Sequence, residues 1–195
     1  MEIEQGVPLA RLTTIGTGGP AAAFARPRSP AELEQALAWA REHALTVVTV
    51  GLGSNLLAAD EGVDALVLRL AGELAAVDVD GDVLRAGGGA TNAVCLHRAR
   101  SAGLGGLEFA CAIPGTAGGG VRMNAGAYGS DWAAILQRAL VVSPEGSDWL
   151  TATGLGLSYR HSDLRPDQVV AGVEYRLTPR PVEEIKAEVA DLVAR

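Results

Sequence analysis

Twenty-five of the 195 residues are glycine, about twice the usual share, and they gather in short clusters instead of spreading along a linker. Clustered glycine marks places where the backbone turns through positive φ or approaches another group closely. Two clusters dominate. Gly51-Leu52-Gly53-Ser54-Asn55 follows a valine-rich apolar run, and residues 113–129 form a glycine-rich centre that is apolar throughout. Any fold must bring ordinary elements around these loops.

Those elements can be read from periodicity and punctuation. Residues 29–44 predict a helix with Ser29 as N-cap, Pro30 at the first position and Glu32 completing a capping box. Its buried stripe is Leu33, Ala36, Leu37 and Ala40. Strands are expected over residues 45–50, 65–70, 135–142, 149–151 and 169–177, and a hairpin pairs residues 73–79 with 83–86 around Asp80-Gly81. A second helix starts after Thr91 and runs to Ala102, with Gly103 where a C-cap belongs. Residues 182–193 form a last, amphipathic helix. No period of 20 to 50 residues repeats.

Composition removes several function classes. The formal net charge is −7 and Lys186 is the only lysine, so a nucleic-acid partner is not expected. No apolar run approaches the roughly 20 residues of a membrane span. Residues 1–16 lack the basic start and apolar centre of a secretory signal, so a cytoplasmic location is expected. Cys95 and Cys111, with three scattered histidines, suggest neither a disulfide framework nor a metal site, and both thiols are expected to be buried packing residues. An anionic ligand would need placed arginines and backbone N–H groups.

Three segments could carry chemistry. The Gly51 to Asn55 loop looks like an anion nest, but it lacks the Gly-Lys-Ser/Thr end of Walker A and the third glycine of a dinucleotide fingerprint. Its plain alternative is a tight turn. In residues 113–129, Pro114-Gly115-Thr116 can open a short helix whose free N–H groups face a phosphate, and the small residues admit a flat ring. The alternative there is a turn packed on a neighbour, and Arg122 either touches phosphate or packs. The third segment is Gly156-Leu157-Ser158-Tyr159-Arg160-His161-Ser162, where a guanidinium could stabilise charge appearing on an enolate. His161 reads as a surface loop residue.

Together these segments resemble the UDP-N-acetylenolpyruvoylglucosamine reductases, the MurB family. Residues 13–19 are similar to its N-terminal Thr-Thr and Gly-Gly signature, and Gly51, Gly53, Ser54, Asn55 and Leu56 fall in a match to its GxGSNxL flavin-pyrophosphate loop. Pro114, Gly115, Thr116, Gly118, Gly119, Asn124, Gly126, Ala127 and Tyr128 lie in a run similar to the family's IPGTxGG and MNAGAYG, which borders the flavin. Tyr159-Arg160-His161-Ser162 resembles YRxS, which implies Arg160 as the catalytic enolate stabiliser and Tyr159 and Arg160 as substrate-binding residues.

The resemblance implies an α+β, two-subdomain FAD-binding fold of the PCMH/vanillyl-alcohol-oxidase type. Residues 1–57 and 58–178 would be the FAD-binding subdomains, and 179–195 the start of a substrate-binding domain. It also implies FAD and NADPH as cofactors, without implying covalent attachment of the flavin, and a UDP-sugar enolpyruvate reduced to UDP-N-acetylmuramate for peptidoglycan. The family's GSxFKNP-like serine, its proton donor, and its late glutamate have no match here, so a missing C-terminal domain or a partner chain is expected. The competing readings are an oxidase of the same fold acting on another sugar or alcohol, and a non-catalytic flavin-binding module.

Overall fold

Ser29 caps the first helix as its side chain predicts: its hydroxyl accepts from the Glu32 N–H at 3.3 Å and Pro30 is the first helical residue. The Glu32 carboxylate reaches back to the Arg28 N–H at 2.7 Å, so the return bond of the box closes one residue earlier than its usual form. A computed structural model describes all residues 1–195. In chain order its strands are β1 (Ile3–Glu4), β2 (Val7–Pro8), β3 (Pro20–Ala25), β4 (Thr46–Thr49), β5 (Val63–Leu68), β6 (Val77–Asp80) and β7 (Val83–Gly87). There follow β8 (Leu104–Gly105), β9 (Gly126–Ala127), β10 (Ser130–Asp131), β11 (Leu136–Ser143), β12 (Gly146–Leu150), β13 (Val169–Arg176) and β14 (Thr178–Pro179). The helices are α1 (Pro30–Glu42), α2 (Asn92–Ser101), α3 (Ala117–Arg122) and α4 (Val182–Ala194).

Two sheets organise the chain. The first has the order β1-β3-β5-β4, with β5 parallel to both β3 and β4 and with β2 also paired to β3. The second is antiparallel, in the order β12-β11-β13-β7-β6. Strand β5, residues 63–68, lies between β3 and β4, so the first sheet takes in chain beyond residue 57.

Helix α1 lies between the sheets. Leu33, Ala36, Leu37 and Ala40 share one core with Ala23, Ala25, Leu66 and Leu68 of the first sheet and with Val142, Val169 and Ala171 of the second. The far face of the second sheet, with Val170, Val173 and Tyr175 of β13, packs on α2, α3 and the 3₁₀ turn Glu108–Ala112. Both faces of β13 are therefore covered over residues 169–173, which explains the apolar run there. Leu9, Leu12, Ala21, Phe24, Val50 and Val67 fill the outer face of the first sheet.

The structure corrects several expectations. Residues Gly72–Ala75 form a 3₁₀ turn with Gly72 at φ +57°, so the strand expected from residue 73 begins only at Val77. Strand β3, which no periodicity announced, is the central element of the first sheet. Cys95 is buried, but Cys111 is only partly so. In residues 179–195, β14 pairs with β8, and α4 packs on the 3₁₀ turn Glu108–Ala112 and on α2, burying Ile185 and Leu192.

Candidate functional site

The loop after β4 is unusual in what its backbone does not do. None of the N–H groups of Gly51, Leu52, Gly53, Ser54 or Asn55 donates to an acceptor in the protein, although Gly53 is buried. Gly53 is buried and Gly51 and Ser54 are half-buried, so amides there without a protein acceptor call for a ligand oxygen or water. Gly53 sits at φ +68°, and a Cβ there would collide with the Leu12 carbonyl. A Cβ at Gly51 would come within 2.8 Å of Thr116 Oγ1, so the two glycine loops touch. Ser54 Oγ fixes that contact by donating to the Pro114 carbonyl at 2.9 Å.

Two adjoining cavities flank this contact. One, of about 320 Å³, lies between the units and is walled by Gly51, Leu52, Arg69, Gly88, Gly89, Thr91, Thr116, Gly118, Gly119, Arg122, Gln168 and Val170, among others. The other, of about 450 Å³, shares Leu52 and Thr91 and is lined by His97, Arg100, Cys111, Pro114 and Gly115. Of the residues expected from sequence, Gly51, Thr116, Gly118 and Gly119 line the first, and Pro114 and Gly115 the second. Gly53, Ser54 and Asn55 form the loop itself, and Leu56 packs into the outer core of the first unit.

The start of α3 differs from the expected row of free amides. The Ala117 and Gly118 N–H groups donate to the Ala90 and Gly88 carbonyls, both at 2.8 Å, which stitches α3 to the loop after β7. Two of the three consecutive glycines are explained by packing. A Cβ at Gly118 would meet the Val170 and Gly88 carbonyls at 2.8 and 2.9 Å, and one at Gly120 would meet the Trp132 ring at 2.7 Å.

Arg160 occupies the tip of a tight turn closed by mutual backbone bonds between Ser158 and His161, and its own φ is +54°. Tyr159 beside it is 89% exposed. The Arg160 guanidinium donates to the Gly126 carbonyl at 2.9 Å and has no carboxylate partner. Asn124 supports this turn from below. Its amide donates to the Ser158 carbonyl at 3.0 Å and to Asp131 at 3.2 Å, and its oxygen accepts from the Ala133 N–H at 2.9 Å. The Asn124 side chain, 4% exposed, is thus spent on protein partners. Ala127 lies in the short β9–β10 hairpin, and the Tyr128 hydroxyl donates to the Leu192 carbonyl at 2.8 Å. Neither residues 124–128 nor Tyr159 and Arg160 line the two cavities. Non-glycine residues at positive φ cluster here, at Asn124, Tyr128 and Arg160, and such strain gathers at functional sites. His161 is an exposed residue paired with Asp163 at 3.0 Å.

Residues 21–149 match the FAD binding domain family. The structure is similar to UDP-N-acetylenolpyruvylglucosamine reductase (MurB) from Thermus caldophilus, with a TM-score of 0.88 and 36% identity over 100% of this chain and 69% of that one. The chain belongs to the MurB reductase family. A curated relative, UDP-N-acetylenolpyruvoylglucosamine reductase 2 of Symbiobacterium thermophilum, is 45% identical over 91% of this chain and 58% of its own length. The chain spans about 60% of the curated relatives it matches. The fold is also that of 6-hydroxy-D-nicotine oxidase from Arthrobacter nicotinovorans, with a TM-score of 0.60 at 20% identity.

FAD is the cofactor of this family, and the residues present fit it: free amides of residues 51–55, glycine walls, and no carboxylate lining either cavity. Sequence reasoning on this MurB-family chain missed Gly88, Gly89 and Thr91. Their signal was visible, since Gly87-Gly88-Gly89 ends β7 just before the Thr91 N-cap.

Proposed function

We propose that the chain carries the flavin site of an enzyme reducing a UDP-N-acetylglucosamine enolpyruvate to UDP-N-acetylmuramate for peptidoglycan synthesis, with NADPH as reductant. The unpaired amides of residues 51–55 carry this reading, because a diphosphate supplies the oxygens that five successive donors lack. FAD, when bound, would supply the hydride chemistry of this reduction. The residues of this chain hold, orient and neutralise. Gly51, Gly53, Ser54 and Asn55 present the amides, while Ser54 keeps their loop against Pro114. Arg160, exposed and without a carboxylate partner, faces the substrate carboxylate and stabilises the negative charge that grows as hydride arrives. Tyr159 lies beside it at the substrate, and Asn124 and the Gly126 carbonyl fix the turn.

The test is retention of flavin. Purified chain is mixed with FAD, passed through a gel-filtration column and scanned in the visible range. A flavin band that elutes with folded protein is expected, whereas folded protein that elutes colourless would sink the reading.

A further inference from the structure

Every charged side chain lining the two cavities is basic or a histidine, although the chain has 23 acidic residues. Two of these cations share the cavity between the units. Arg69 follows β5 in the first unit, and Arg122 ends α3 in the second. Neither has a carboxylate within ion-pair distance, whereas Arg85, Arg138, Arg165, Arg176 and Arg180 all do. Both are partly buried. The Arg122 guanidinium donates to the Gln168 carbonyl at 2.9 Å and to the Arg165 carbonyl at 3.3 and 3.2 Å. Carbonyls accept from its two Nη atoms but leave its charge uncompensated, and burial pulls its pKa down. A cation half withdrawn from water without a counter-charge is costly, and an anion in the cavity offsets that cost.

We propose that Arg69 and Arg122 form a clamp, one arm from each unit, on the diphosphate of the bound dinucleotide. This rests on the flavin reading. The amides of residues 51–55 orient the diphosphate by hydrogen bonds, and the two guanidinium groups supply the charge that a protein of net charge −7 otherwise withholds.

The clamp is tested by titrating flavin-free chain with FAD, ADP and riboflavin at low and high salt. The proteins compared are the wild type, Arg69→Met, Arg122→Met and Arg122→Lys, with thermal melts confirming that each is folded. Each methionine variant is expected to bind FAD and ADP about 10- to 100-fold more weakly, with a shallower salt dependence and unchanged affinity for riboflavin, which has no phosphate. Arg122→Lys should recover much of the loss. Unchanged FAD and ADP affinity in both methionine variants overturns the clamp while wild-type FAD binding leaves the flavin reading standing. Equal weakening of riboflavin, with lysine no better than methionine, also overturns it, because a mere staple of the Arg165 to Gln168 loop behaves that way. Folded wild type that binds neither FAD nor ADP overturns both.

Discussion

Ser54 Oγ donates to the Pro114 carbonyl at 2.9 Å, a side-chain hydrogen bond joining two loops 60 positions apart in sequence. The first of these loops holds the free amides, and the second leads into α3.

Ser54→Ala removes that bond and little else. Stability should fall by about 0.5–1.5 kcal/mol, read from denaturant melts, with a loss of FAD affinity in fluorescence titration. Wild-type affinity in the variant would show that the amides are held without it.

Gly53→Ala meets two obstacles, a φ of +68° and the Leu12 carbonyl in the path of its Cβ. The backbone strain alone is about 1–3 kcal/mol. A matched alanine at Gly81, also at positive φ with no atom near its Cβ, should lose less in the same melts, and the difference isolates the collision.

Glu174 titration should shape the acid limb of stability. Its carboxylate is gripped by Arg138 at 2.7 and 3.0 Å and by Arg85 at 3.3 Å. The Arg138 bond above all holds the Glu174 pKa below the usual carboxylate value, against the opposing pull of burial. A carboxyl whose folded pKa is depressed stabilises fully above its unfolded value and loses that contribution as pH falls through the folded one. Glu174→Gln should therefore cost about 1–3 kcal/mol at neutral pH and nothing extra once the wild-type carboxyl is protonated. Parallel stability curves down to strong acid would disprove this assignment.

How much of this was legible in the sequence differs by region. Helix α1 could be read to its cap because Ser29, Pro30 and Glu32 act locally, and its stripe is covered on two sides by apolar neighbours. Strand β3 was not, because Pro-Ala-Ala-Ala-Phe-Ala alternates between two cores and has no polar face to give it a period. In the site, the glycine loop announced itself, but the bonding of α3 to Gly88 and Ala90 is a tertiary contact with no local signature. The MNAGAYG match implied that residues 124–128 border the flavin; that their side chains and carbonyls also brace the Arg160 turn and α4 is a tertiary fact with no signal in the motif.

Arg160→Ala should separate chemistry from cofactor binding. Flavin affinity is expected to hold, while single-turnover reduction of the enolpyruvyl substrate slows roughly 100- to 1000-fold. Asn124→Ala should slow the same step with a smaller effect on substrate affinity, since it acts by positioning the turn. Undiminished turnover in Arg160→Ala would remove the catalytic assignment.

The placement of α1 between the sheets also bears on how the chain is made. Its stripe is laid down by residue 40, yet part of its cover, Val142, Val169 and Ala171, emerges from the ribosome only much later. Until β13 is synthesised, the helix keeps an apolar side open. The first unit therefore cannot finish folding ahead of the second, and the nascent chain depends on a late strand to close an early core, a topology that slows folding and lengthens exposure to aggregation.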